Sequence, residues 1–233
     1  MRMAQAISFT RPDGAAVSGY LAAAERPVGA VVVIQEWWGL NEQIRGVARR
    51  WAGAGFTALV PDLYRGRSTV EEEEADHLMT GLDFGAAAAQ DIRGAVQYLK
   101  GLKLGSGKVG VSGYCMGGAL ALLASMLVPE ADAAVVWYGM PPVEYVDAGK
   151  IGLPLQAHWA TQDEFFAIAG VDALEAKLAE AGVRYEGHRY LAHHGFANET
   201  AQGPGRIART QYDAAWAQQA WDRAMRFCGQ HLG

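Results

Sequence analysis

Cys115 stands in Gly113-Tyr114-Cys115-Met116-Gly117, a Gly-x-Cys-x-Gly spacing that fits a nucleophile elbow with a thiol in place of the usual serine hydroxyl. An elbow is a sharp strand-to-helix turn that holds its nucleophile in strained backbone geometry. Side chains two positions to either side would collide, which accounts for the two glycines. The helix that follows directs its positive end at the thiol, favouring a thiolate and a developing oxyanion. A structural cysteine in a Gly-rich turn is the plain alternative. The flanks argue against it: an apolar run at 109–111 precedes the motif, and a helical stripe of Leu120, Leu123, Ala124 and Leu127 follows it.

Such a nucleophile needs a base, and a carboxylate that fixes the base's tautomer and stabilises its cation. Where an elbow is present, both come later in the chain, each at the end of a strand. Asp163 follows the apolar run 153–159, and His193 and His194 follow the strand-like segment 184–190. An isolated Asp in a loop is ordinarily a turn residue; its place after a strand is what marks Asp163. Either histidine could serve as the base on these grounds.

The scaffold required to position these groups is legible in the rest of the chain. Residues 7–10 and 17–22 flank the turn signal Arg11-Pro12-Asp13-Gly14 and read as a hairpin. Apolar runs at 30–34, 56–60, 109–111, 133–138 and 153–159 suit strands covered on both faces. Between them lie helical stripes: Ile44, Val47, Ala48 and Trp51 after a cap at Asn41; Ile92, Ala95, Val96 and Leu99; and a weaker one at Val171, Leu174, Glu175 and Leu178, ending at Gly182. A last helix is expected over 208–227. The alternation predicts an α/β fold, a doubly wound and mostly parallel sheet of the α/β-hydrolase type, in one domain over 1–233. Ligands of such sheets bind at the carboxyl ends of the strands.

Composition narrows the field. With 51% hydrophobic and 19% charged residues over 233 positions, the chain can fill a core. A net charge of -5 without a basic cluster excludes nucleic acid as the expected partner. Two cysteines, Cys115 and Cys228, make no disulfide framework. The N-terminus lacks an apolar stretch of signal-peptide length, and the longest apolar segment, Gly117 to Val128, is too short to span a bilayer, so a cytoplasmic protein is expected, and a monomer.

Gly113 to Gly118 (Gly-Tyr-Cys-Met-Gly-Gly), Gln35-Glu36-Trp37-Trp38-Gly39-Leu40-Asn41 and Pro61-Asp62-Leu63-Tyr64 together resemble the dienelactone hydrolase family, and the resemblance runs from about Gly29 to the last helix. It implies Cys115 as nucleophile with Asp163 and His194 as partners. The choice of His194 over His193 rests on it, because Phe196 and Ala197 then fall in place. It also implies that Glu36 contacts the resting thiol, where a carboxylate disfavours the thiolate and protects it from oxidation. The backbone N–H groups of Trp37 and Met116 would form the oxyanion hole. Trp38, Phe196 and Asn198 would line the substrate pocket.

The chain also departs from that family. The two arginines that hold the substrate carboxylate align with Glu72 and Asn198, leaving Arg65 and Arg67 as alternative clasps. The expected activity is therefore hydrolysis of a small-molecule ester or lactone through an acyl-enzyme, with an altered substrate preference. A non-catalytic ligand-binding protein on the same fold is the rival reading, opposed by the complete triad. A redox role lacks a Cys-x-x-Cys pair. Gly105-Ser106-Gly107-Lys108-Val109-Gly110 precedes a strand rather than opening a helix, which rules out the dinucleotide fingerprint. His158, His188, His193 and His194 lack zinc-site spacing, and Cys228 shares a helix face with Trp221, Ala224 and Met225. No cofactor or metal is expected.

Overall fold

Every residue of five consecutive strands in the middle of the sheet is buried, as their uninterrupted apolar runs require. The computed structural model describes residues 4–233. β1 (Gln5–Thr10) and β2 (Ala16–Ala22) form the N-terminal hairpin, and β2 also pairs antiparallel with β4 (Phe56–Pro61). From there the sheet is parallel: β4, β3 (Gly29–Ile34), β5 (Val109–Tyr114), β6 (Ala133–Trp137), β7 (Leu155–Ala160) and β8 (Tyr185–Tyr190).

Alternate residues of each strand feed two cores. Val31 and Val33 face α1 (Glu42–Gly53) and the last helix, packing with Ile44, Ala48, Trp51 and Trp221. Val32 and Ile34 face the opposite way, toward Ile92, Val96, Leu120 and Leu174. Those come from the other helical layer, which also contains α2 (Glu72–Thr80). In it, α3 (Phe84–Ala86) continues through a π-helical stretch, Ala87–Ile92, into α4 (Arg93–Gly101). α5 (Met116–Leu127) and α6 (Ile168–Glu180) complete the layer. The fold is thus doubly wound.

Two helix starts follow capping side chains. Asn41 Oδ1 accepts from the Ile44 N–H at 3.2 Å and opens α1 as its sequence position predicts. The last helix, α7 (Ala214–Leu232), begins later and runs further than its periodicity suggests. Asp213 caps it, accepting from the N–H groups of Ala215 and Trp216 at 3.0 Å each. Residues 208–212 instead belong to a loop, where Thr210 bridges to His194.

Strand order reverses around β3. The chain leaves β3 for β4 on one side and returns as β5 on the other, which opens a crevice at the carboxyl ends of β3 and β5. Register then places the polar groups. Ile34 pairs with Gly113, so Glu36 and Cys115 lie two residues past a matched position; Tyr114 pairs with Trp137, which brings Tyr138 alongside.

Candidate active site

Cys115 links β5 to α5 with φ 55° and ψ -118°, a left-handed conformation that a non-glycine residue holds only under constraint. The constraint is on both sides of the peptide. Its N–H donates to the Trp137 carbonyl at 3.0 Å, and its carbonyl accepts from Gly118 and Ala119 at 2.8 and 3.2 Å. A Cβ at Gly113 would lie 1.8 Å from the Gly117 carbonyl oxygen, and one at Gly117 would lie 2.5 Å from the carbonyl oxygens of Ile34 and Gln35. No side chain fits at either, which is the physical content of the Gly-x-Cys-x-Gly spacing. Among the described residues, the N–H groups of Trp37 and of Met116, the first residue of α5, have no protein acceptor. Both are therefore available to an incoming oxygen.

Asp163 lies three residues beyond β7 and His194 four beyond β8. The two loops are tied together by N–H donation from Thr161 to Tyr190 and from Gln162 to Ala192, at 2.9 and 3.0 Å. His194 Nδ1 donates to Asp163 Oδ2 at 2.8 Å, while Asp163 Oδ1 accepts from the backbone of Phe165 and Phe166 at 2.8 and 2.9 Å. Cys115 lies close enough for its charge to act on the same ring. Rings of Tyr138, Phe165 and Phe166 enclose the imidazole, with centroids 5.2, 4.8 and 5.7 Å away. Burial works against its cation. The negative charge of a Cys115 thiolate and the hydrogen bond to Asp163 outweigh that, raising the His194 pKa to about 10. His193 is half-buried and does not line the cleft.

Glu36 is buried at the same edge, but its oxygens are taken by other groups. Asn198 Nδ2 donates to Oε2 at 2.7 Å and the Tyr138 hydroxyl to Oε1 at 3.2 Å. Burial raises the Glu36 pKa, opposed by the His194 cation and these two donors. Burial and the Glu36 charge push the Tyr138 phenol up, so it remains a donor. The hydrogen bond to the thiol that the family resemblance implies is not formed by Glu36 among the described residues. Asn198 in turn is oriented by Thr200, whose N–H and hydroxyl donate to its Oδ1 at 2.9 and 2.7 Å.

These groups open onto a cleft of about 1170 Å³. Trp37, Trp38 and Asn198 line it. Phe196 does not: it is fully buried on the far face of the sheet, against Tyr138 and Tyr190 at 5.2 and 5.1 Å. The expected pocket role of Phe196 is therefore corrected to one in the core, where it supports Tyr138 from beneath. Neither Arg65 nor Arg67 reaches the cleft. Arg65 grips the buried Asp91 carboxylate instead, at 2.8 and 3.0 Å.

Several residues at the site carry no sequence signal of their own. Tyr138 looks like the last residue of an apolar strand, yet it sits just beyond β6 with φ 37°. Tyr64, from the Pro-Asp-Leu-Tyr segment, donates its hydroxyl to Met116 Sδ at 3.1 Å beside the elbow. Arg206 lines the cleft but donates to the carbonyls of Ile207, Ala208 and Thr210. Arg209 stacks on Phe165 at 4.1 Å and pairs with Glu72 at 3.5 Å. Among the described residues, no group of three His, Cys, Asp or Glu side chains is placed to hold a metal ion, and no helix is long and apolar enough to cross a membrane.

A doubly wound sheet carrying a cysteine at a tight strand–turn–helix, with a His–Asp pair after later strands, has the architecture of an α/β-hydrolase. Within that class, the dienelactone hydrolase family model matches residues 17–232, and the chain belongs to that family. It is 32% identical to the protein usf of Aquifex pyrophilus over 99% of this chain and all of that one. Identity to carboxymethylenebutenolidase 1 of Cupriavidus pinatubonensis is 28%, covering 91% of this chain and 94% of the relative. Among solved structures, the dienelactone hydrolase-like promiscuous phosphotriesterase P91 from metagenomic libraries superposes with a TM-score of 0.85, at 24% identity over 99% of each chain, a likeness of fold. The chain is a hydrolase of esters or lactones.

Proposed function

We propose that this hydrolase works through a Cys115–His194–Asp163 triad and prefers uncharged substrates. The single observation that carries the mechanism is the buried His194–Asp163 hydrogen bond of 2.8 Å beside the elbow cysteine, whose charge acts on the His194 ring. The Cys115 thiolate attacks the acyl carbon, and the oxyanion is received by the N–H groups of Trp37 and Met116. His194, already a cation, gives its proton to the departing alkoxide. As neutral imidazole it then takes a proton from water, whose oxygen attacks the thioester; the acid is released and the thiolate–imidazolium pair returns.

The test is a pair of variants assayed on a neutral aryl ester, with intact-mass detection of the acyl-enzyme. Cys115→Ala abolishes turnover and the adduct. Cys228→Ala leaves both intact, because that thiol is buried in the core on α7. Turnover by Cys115→Ala above about a hundredth of wild type refutes the nucleophile, since losing one costs far more.

The preference for uncharged substrates is supported by the charges around the cleft. Glu42, Glu71 and Glu72 line it against Arg206, whose Nη1 donates to backbone carbonyls. Trp37, Trp38, Phe165 and Met116 present apolar surface beside the thiol.

A further inference from the structure

The cleft is larger than a small lactone needs, and part of it follows one helix. Met116, Ala119 and Leu123 all line it, and their spacing puts them on one stripe of α5 that starts beside the nucleophile. Phe84, Met140 and Pro142 line it as well, all apolar. The stripe spans seven residues of helix, about 10 Å at 1.5 Å per residue, which matches an extended alkyl chain of about eight carbons.

We infer that this stripe is an acyl-chain channel, so that the substrates include esters of unbranched acids of about six to ten carbons. The inference rests on the Cys115 mechanism proposed above and goes beyond it in naming the acyl group. The two sides of the thiol are chemically distinct. His194 delivers a proton to the departing oxygen, so the alcohol lies on the His194 side, where Phe166, Asn198 and Ile207 line the cleft. The acyl carbon is bonded to Sγ of Cys115, at the start of α5, and its chain is directed along the apolar stripe. Ala119 is the smallest of the three stripe side chains and lies between the other two.

The experiment is a kcat/KM series on p-nitrophenyl esters from acetate to dodecanoate, run beside a series of acetates of lengthening alcohols. Burial of each methylene strengthens transition-state binding by about two- to four-fold, so the acyl series rises toward octanoate and falls beyond decanoate. Ala119→Phe and Leu123→Trp fill the channel at two depths, and each lowers the octanoate-to-acetate ratio at least about tenfold. Two variants are used so that failure of one to fold does not decide the matter, and a Cys115 acyl adduct from acetate verifies each site. A flat acyl series, a rise confined to the alcohol series, or an unchanged ratio in both folded variants overturns the channel and leaves the hydrolase standing. Absence of turnover on every ester overturns the Cys115 mechanism itself, and the channel with it.

Discussion

Asn198 donates its side-chain amide to Glu36 at 2.7 Å, and so holds a buried carboxylate at the cleft. A buried carboxylate is costly unless donors and a cation compensate it. Here the donors are Asn198 and Tyr138, and the cation acting on Glu36 is the His194 imidazolium. The Glu36 oxygens are thus held by Asn198 and Tyr138, and its charge and that of the His194 ring act on one another.

This gives a prediction with a definite sign. Glu36→Gln removes a negative charge that favours the imidazolium, so iodoacetamide labelling of Cys115 near neutral pH slows. Faster labelling would show the carboxylate acting on the thiol directly.

The His194 cation can be followed by NMR. With its pKa raised to about 10, the ring stays protonated at pH 8, where an ordinary histidine is neutral. Burial opposes the charge, and the Cys115 thiolate is the first of the groups that sustain it. In Cys115→Ala the midpoint therefore falls, by about 1–3 units for loss of an adjacent opposite charge. A midpoint unchanged by the substitution means that the two side chains are not an ion pair.

Asp163→Asn separates orientation from charge. The amide oxygen still accepts from Phe165 and Phe166, so the turn persists, but the carboxylate that accepts from His194 Nδ1 is gone. The wrong tautomer is then favoured, and kcat falls by about 10³–10⁴ with the fold retained. A loss smaller than tenfold in a folded variant would remove Asp163 from the mechanism.

The elbow was legible in the sequence because its constraint is local: Gly113 and Gly117 sit two residues from Cys115, and any Cβ there meets backbone. The strands were legible because burial on both faces leaves unbroken apolar runs. Tyr138 was not, since its left-handed backbone and its bond to Glu36 depend on strand register across the sheet. The resemblance implies a pocket role for Phe196, two residues after His194, but the backbone between them decides otherwise. The chain turns between them at Gly195, φ 72°, and sends the ring to the other face. The contact of Arg209 with Glu72 joins residues far apart in sequence and leaves no periodic trace.

The last prediction concerns charge on the substrate. At the aligned arginine positions this chain has Glu72, paired with Arg209, and Asn198, whose amide is spent on Glu36. Arg65 is bound to Asp91, and Arg206 to three backbone carbonyls. Arg206 is the cleft-lining guanidinium among the described residues, and its Nη1 is held by backbone carbonyls. A charge-assisted hydrogen bond contributes about 1.5–3 kcal/mol, so two missing contacts lower kcat/KM on the order of a hundredfold or more, before any repulsion from Glu71 and Glu72. The comparison is kcat/KM for dienelactone against its methyl ester, in low and high salt. The methyl ester is turned over faster, and salt narrows the gap because it screens the exposed carboxylates at the mouth. A preference for the free acid would sink the idea and identify Arg206 or Arg209 as a clasp that swings into the cleft; Arg209→Ala would then abolish the preference if Arg209 is the group responsible.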